Sequence, residues 1–100
     1  MATSETVKRE LRDIRYYYLR KAELDEAFET LGVSPFKQTV ERYKNAIREA
    51  PLRLYDLYAC LYLRGETQEA VAVAVELGYT PQYVRKLVGE LFDFFREKIG

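Results

Sequence analysis

Five side chains between residues 80 and 86 have the types that recognise nucleic acid, namely Thr80, Gln82, Tyr83, Arg85 and Lys86. Glutamine and arginine suit bidentate hydrogen bonds with the edges of adenine and guanine, whereas threonine and lysine commonly bind phosphates. Gln82 and Arg85 are therefore the candidate base readers. Thr80 and Lys86 are the candidate phosphate contacts.

These side chains need a helix with a fixed start, and the local sequence predicts one. Thr80 is expected as N-cap and Pro81 at the first helical position. Gly78 ends a preceding helix where a left-handed turn residue costs least, and Ala74, four residues earlier, lets the two helices cross closely. The spacing predicts a helix-turn-helix with an apolar inner face formed by Val73, Leu77, Val84 and Leu87.

An alternative is a helical hairpin with a glycine at its corner that binds nothing. Such a hairpin shares the turn and the apolar spacing. It does not require the second helix to open with side chains suited to bases and phosphates. The coincidence of the two features favours DNA reading.

The composition indicates one small folded domain without the usual means of catalysis. The 100 residues are 48% apolar, with 16 basic and 16 acidic side chains and a formal net charge of zero. The absence of histidine excludes imidazole zinc sites and Ser-His or Cys-His catalysis, and the single Cys60 excludes an internal disulfide. Glycine-rich phosphate loops are also missing. We therefore expect no enzyme activity, no metal and no cofactor.

The sequence also lacks the features of a membrane protein. No apolar run approaches the length of a membrane span, and the polar first six residues lack a signal-peptide core. We expect a cytoplasmic protein without a membrane partner.

Charge is distributed unevenly along the chain. A net charge of zero argues against nonspecific coating of nucleic acid. Residues 32–65, however, contain six basic and three acidic side chains, and Arg85 and Lys86 add to this excess. A modest basic face around the candidate reading helix is therefore expected.

Apolar periodicity predicts an all-α fold, with a long N-terminal helix and a helical bundle that contains the C-terminal helix-turn-helix. One long helix of about six or seven turns is expected between Thr6 and Leu31, ended by Gly32. Ser34 and Pro35 are expected to start a second helix that runs to Ala50.

The remaining helices follow from prolines, glycines and caps. The helix after Pro51 is apolar nearly all round and is expected at the centre of the core, closed by Gly65. Valine-rich residues 70–75 favour a strand, but a cap at Thr67 and the glycine at 78 indicate a helix. Residues 1–50 are interpreted as a helical hairpin for packing or dimerisation. Residues 51–100 are the helix-turn-helix module of the same compact unit.

Residues 52–96 resemble the fourth conserved region of bacterial sigma factors, and they are more similar still to small phage and mobile-element regulators that carry this module. The resemblance rests on Thr67-Gln-Glu and on Glu-Leu-Gly-Tyr-Thr-Pro-Gln-Tyr-Val-Arg-Lys-Leu, which ends at Leu87. The run before the glycine is two residues longer than in the family, and Ala72 stands where the family has glutamate. The resemblance implies promoter or operator binding, with RNA polymerase as a candidate partner.

Surplus aromatic residues predict a homodimer. Tyr16, Tyr17 and Tyr18 cannot all face one core, and Phe92, Phe94 and Phe95 give the same excess near the other end. The sequence-based hypothesis is a homodimeric, sequence-specific transcriptional regulator of a phage or integrated element, bound to double-stranded DNA. The alternative is a protein-interaction adaptor, docking on RNA polymerase or acting in phage packaging, without base readout.

Overall fold

The computed structural model describes residues 3–32, 36–65 and 68–99, and within these ranges it confirms the all-α class. The described chain forms six helices and no strand: α1 (Ser4–Leu19), α2 (Lys21–Leu31), α3 (Lys37–Ile47), α4 (Leu52–Tyr62), α5 (Ala70–Leu77) and α6 (Pro81–Lys98). The expected helix starts at Ser34, Pro35 and Thr67 lie outside the described residues. Since α6 contacts α1, α3, α4 and α5, it is the central element of the fold.

The prediction of one long N-terminal helix is wrong, because the chain breaks at Arg20 into α1 and α2. Arg20 leaves helical geometry at φ −117° and ψ 26°. The apolar stripe of α1 ends near Tyr18 and resumes at Leu24, and a gap of six residues turns the stripe by about 120°. A straight helix could not present both stripes to one core. After the break, α2 buries none of its residues fully. Gly32 ends α2 as expected, in a left-handed conformation with φ 76°.

Helices α3 and α4 supply the middle of the core. Val40, Tyr43 and Ile47 are buried, but α3 ends at Ile47 and not at Ala50 as predicted, and residues 48–50 form a turn and a bend. α4 follows Pro51 and buries most of its apolar side chains, namely Leu54, Leu57, Tyr58, Cys60, Leu61 and Tyr62. Leu52, the first residue of α4, remains 74% exposed.

The aromatic surplus of α6 is absorbed by the chain's own core. Phe95 has no exposed surface, and its ring centroid lies 4.7 Å from that of Tyr43 and 5.4 Å from that of Tyr58. Phe92 and Phe94 are partly buried and pack against the same cluster. These rings therefore do not require a second copy of the chain to cover them. Of the tyrosine run, Tyr16 is 46% exposed, while the two that follow are partly buried.

One carboxylate lies inside the core and joins α1 to α3. Glu10 is 8% exposed and accepts a hydrogen bond of 3.0 Å from the Tyr43 hydroxyl. Its second oxygen pairs with Arg42. Burial and the neighbouring carboxylate raise the pKa of the Tyr43 hydroxyl well above its ordinary value. The hydroxyl therefore remains a donor to Glu10.

Candidate nucleic-acid interface

The turn between α5 and α6 has the geometry expected from the glycine. Gly78 adopts φ 76° and ψ 29°, and its N–H donates to the carbonyl of Ala74. The N–H of Tyr79 donates to the same carbonyl at 2.9 Å. The left-handed conformation of Gly78 brings both N–H groups to the Ala74 carbonyl and reverses the chain. The predicted glycine turn is confirmed.

Three of the four apolar residues predicted on the inner faces of the two helices are buried, and the fourth, Leu77, is partly buried. Val73 and Ala74 on α5 are 1% and 2% exposed. Val84 and Leu87 on α6 are each 1% exposed. Leu77 is only partly buried and packs against the edge of the core. The small side chain of Ala74 thus lies in the contact between α5 and the rest of the fold.

The start of α6 is fixed by the predicted cap. Thr80 has extended backbone geometry, and its hydroxyl oxygen accepts a hydrogen bond of 3.2 Å from the N–H of Tyr83. Pro81 occupies the first turn, where its missing N–H leaves no donor unsatisfied. The position of the first turn of α6 is therefore set by the turn at Gly78 and by this cap.

The candidate contact residues at the start of α6 are accessible to a partner, and Gln82 and Lys86 lie opposite the buried face. Thr80, Gln82, Arg85 and Lys86 are exposed. At about 100° per residue, Gln82 and Lys86 lie about 160° from the buried Val84. Arg85 lies about 100° from Val84 on one flank. The exposed surface at the start of α6 thus combines the Gln82 amide with the positive charges of Arg85 and Lys86.

Tyr83 occupies the other flank and is held in place by its neighbour. Its side chain is 37% exposed, and its ring meets that of Tyr79 edge-on with a centroid distance of 4.9 Å. Tyr79 in turn packs against the core. A ring fixed in this way loses little conformational entropy when a partner binds.

Arg85 and Lys86 differ in their pairing from three arginines of residues 32–65. Within the described ranges, Arg85 and Lys86 form no ion pair. By contrast, Arg42 and Arg53 pair with Glu10 and Glu90, and Arg64 pairs with Glu76 at 2.6 Å. Much of the positive charge expected from residues 32–65 is therefore compensated within the chain. Arg85 and Lys86 are the cations of the candidate interface.

A polar cluster that the sequence did not reveal fastens α5 to α4. Arg64 donates two hydrogen bonds of 2.6 Å to the carboxylate of Glu76, and the Cys60 thiol donates a third at 2.8 Å. These donors lower the pKa of Glu76 to about 2. Burial and the adjacent carboxylate raise the pKa of the Cys60 thiol to about 11, so that it remains protonated at neutral pH.

Other classes of site find little support in the described structure. There, no group of three or more His, Cys, Asp or Glu side chains is arranged to hold a metal ion. Membrane crossing would need a longer or more apolar helix than any found among those residues. Two shallow grooves are present. One of about 560 Å³ lies beside Tyr17, Phe28 and Val40, and one of about 540 Å³ lies beside Arg42, Glu49 and Ile99.

Comparisons with protein-family models, with curated proteins and with solved structures returned no match to this chain. The geometry of α5 and α6 is therefore the basis for assigning a function.

Proposed function

We propose that this chain is a sequence-specific DNA-binding protein that inserts the first half of α6 into the major groove of double-stranded DNA. The observation that carries the proposal is the placement of Gln82, Arg85 and Lys86. All three are exposed on a helix start that Thr80 and Gly78 hold in position. A fixed helix end with base-competent side chains is what groove reading requires.

Each candidate residue has a distinct role in this proposal. Gln82 reads adenine and Arg85 reads guanine through bidentate hydrogen bonds. Lys86 contacts phosphate as a point charge, and Thr80, whose oxygen already caps α6, donates its hydroxyl proton to a phosphate oxygen. Tyr83 packs its pinned ring against the groove wall. Ala74 and Gly78 hold the two helices at the required approach.

The charges beyond the first half of α6 limit how much of the helix enters the groove. Asp93 and Glu97 are exposed on the same outer side, two and three turns after Lys86. Asp93 pairs with Arg96, whereas Glu97 has no ion pair among the described residues and would repel phosphates. The distal half of α6 is also buried against the core through Leu91 and Phe95. Base reading is therefore confined to about the first two to three turns.

We propose further that the protein acts in the cytoplasm as a homodimeric transcriptional regulator of a phage or integrated element; the sigma-like resemblance implies promoter or operator binding. Four contact residues on one helix give a neutral monomer little specificity. Pairing doubles the base contacts and lets symmetric half-sites about 34 Å apart be read. Phe95 does not lie in the surface through which two copies would pair, since its ring is fully buried within one chain.

The second candidate function is a protein-interaction adaptor, for example one that docks on RNA polymerase or a packaging component. One observation favours it. Val71 and Val75 lie one turn apart on the outer side of α5 and are 54% and 79% exposed. A helix that lies along the DNA backbone gains nothing from exposed valines, whereas a protein partner would bury them.

Selection from a random duplex library tests the proposal. The parent chain is expected to enrich a short motif containing adenine and guanine positions. The variant Arg85→Ala is expected to enrich a motif that has lost one of these positions, with Lys8→Ala on α1 as the matched control. An unenriched pool from the parent chain would contradict DNA reading. Loss of partner binding on Val75→Lys, with no motif enriched, would instead support the adaptor.

A further inference from the structure

Gly89 is a glycine within a helix, and no contact in the described fold requires a residue without a side chain at this position. Of the four glycines that the structure describes, three have a left-handed φ near 75°, which explains their lack of a side chain. Gly89 lies in mid-α6 with helical geometry. A Cβ atom built at this position would meet no atom within 4 Å. No neighbouring helix therefore requires the missing side chain, and α6 is continuous from Pro81 to Lys98.

Such a glycine is costly to the free protein. In a helix interior, glycine destabilises by about 1 kcal/mol relative to alanine. No contact within the described chain offsets that cost. A close crossing of two helices would also require a glycine, but the open space around Gly89 excludes such a crossing among the described residues. The glycine is explained if a surface outside the chain approaches the backbone of α6 there.

The position of Gly89 on α6 indicates which surface this is. Gly89 is exposed and lies about two turns after Gln82 and about one turn after Lys86, on the same outer side. The major groove is about 12 Å wide, and a helix with its side chains measures about 10–12 Å across. A helix that enters by its N-terminus therefore meets the sugar-phosphate wall as it leaves the groove. Where the helix passes the sugar-phosphate wall, a glycine allows the backbone of the helix and that of the duplex to approach closely.

We propose that Gly89 is the place where the sugar-phosphate backbone of the bound duplex comes into van der Waals contact with α6. This inference rests on the proposed DNA-binding function. A second copy of the chain is the competing occupant, with Arg85 of one copy facing Asp93 of the other. Asp93, however, is already bound by Arg96 at 2.6 Å, while Arg85 has no ion pair in the described chain. The charges favour phosphate.

The substitution Gly89→Ala separates stability from binding. Because the added methyl group meets nothing in the free protein, the melting temperature should rise by a few degrees. Because the same methyl group meets the duplex, affinity for the selected site should fall about tenfold, which corresponds to about 1.4 kcal/mol. Gly89→Gln adds a longer, uncharged side chain and should weaken binding further. Asn45→Ala, at an exposed position of α3, is the control for raised helix propensity alone.

The outcomes distinguish this inference from the proposed function. A parent chain that binds a selected duplex, with unchanged affinity in both Gly89 variants, overturns the inference and leaves DNA binding intact. A parent that binds no duplex overturns both. An unchanged or lower melting temperature in Gly89→Ala would show that the fold itself needs the glycine. A shift from dimer to monomer in light scattering, with DNA binding unaffected, would assign the contact to a second copy.

Discussion

The Cys60 thiol of α4 donates a hydrogen bond of 2.8 Å to the carboxylate of Glu76 on α5. Arg64 holds the same carboxylate from the end of α4. α5 has only eight residues, and its outer side carries exposed valines. Its position depends on the buried Val73 and Ala74 and on this polar cluster. The cluster therefore helps to set where the turn at Gly78 presents α6.

The Cys60 thiol makes stability depend on alkaline pH. Its pKa is raised in the folded chain from an ordinary 9.0 to about 11, so its contribution is complete below pH 9 and is lost as pH rises through 11. The free energy of unfolding should fall by about 2–3 kcal/mol more in the parent than in Cys60→Ala over this range. Urea unfolding at several pH values measures the difference. A difference between the two proteins that stays constant with pH would contradict it.

The glycine between α4 and α5 should tolerate substitution least. Gly65 has φ 75°, and an added Cβ would lie 2.5 Å from backbone atoms of Leu19. Gly65→Ala should therefore cost about 2–4 kcal/mol, the sum of left-handed strain and overpacking. Gly78→Ala has the strain without the clash and should cost only about 1–2 kcal/mol. Equal losses for the two variants in urea unfolding would show that α1 does not approach this turn as described.

Removing the ring of Phe95 should unfold the chain rather than dissociate a dimer. The side chain is fully buried between Tyr43 and Tyr58. Phe95→Ala should lower the free energy of unfolding by about 3–5 kcal/mol. Circular dichroism during a thermal melt, with light scattering of the same sample, measures both effects. A folded monomer of unchanged stability would mean that the ring lies between two copies of the chain.

Sequence was sufficient where a single residue type determines the local geometry. Gly32 ends α2, Gly78 ends α5 in a left-handed conformation and Thr80 caps α6, all as predicted. Gly65 was expected to close α4 and lies just after it. Burial of Val73, Val84 and Leu87 was also predicted, because apolar periodicity reflects burial directly. A turn glycine, a helix cap and an apolar stripe are each specified by residues close in sequence, so they can be predicted without knowing how the helices pack.

The features that sequence missed depend on partners far along the chain. Glu10 lies in the core because Tyr43 and Arg42, more than 30 residues away, supply its donors. The approach of Gly65 to Leu19 likewise depends on how α1 meets α4. The break at Arg20 was recoverable, since the apolar stripe changes phase between Tyr18 and Leu24.

Two cations on α6 should have different effects on DNA binding. Arg85→Ala should lose discrimination at one base position, at a cost of about 1–3 kcal/mol, because it removes a bidentate contact. Lys86→Ala should weaken binding to all duplexes alike. The slope of log affinity against log salt concentration should become shallower by about one, the value for one lost phosphate contact. Titrations at several salt concentrations separate the two. Unchanged affinity of Arg85→Ala for the selected site would remove Arg85 from the base readers.

The most direct test of DNA reading is the ratio of the parent chain's affinities for a selected duplex and for a scrambled duplex of the same composition. Fluorescence anisotropy at about 0.15 M salt suppresses the nonspecific electrostatic part of binding. Two bidentate base contacts of about 1–3 kcal/mol each predict a ratio of at least about thirtyfold. Equal affinities for the two duplexes, or binding to neither, would contradict the assignment of α6 as a reading helix.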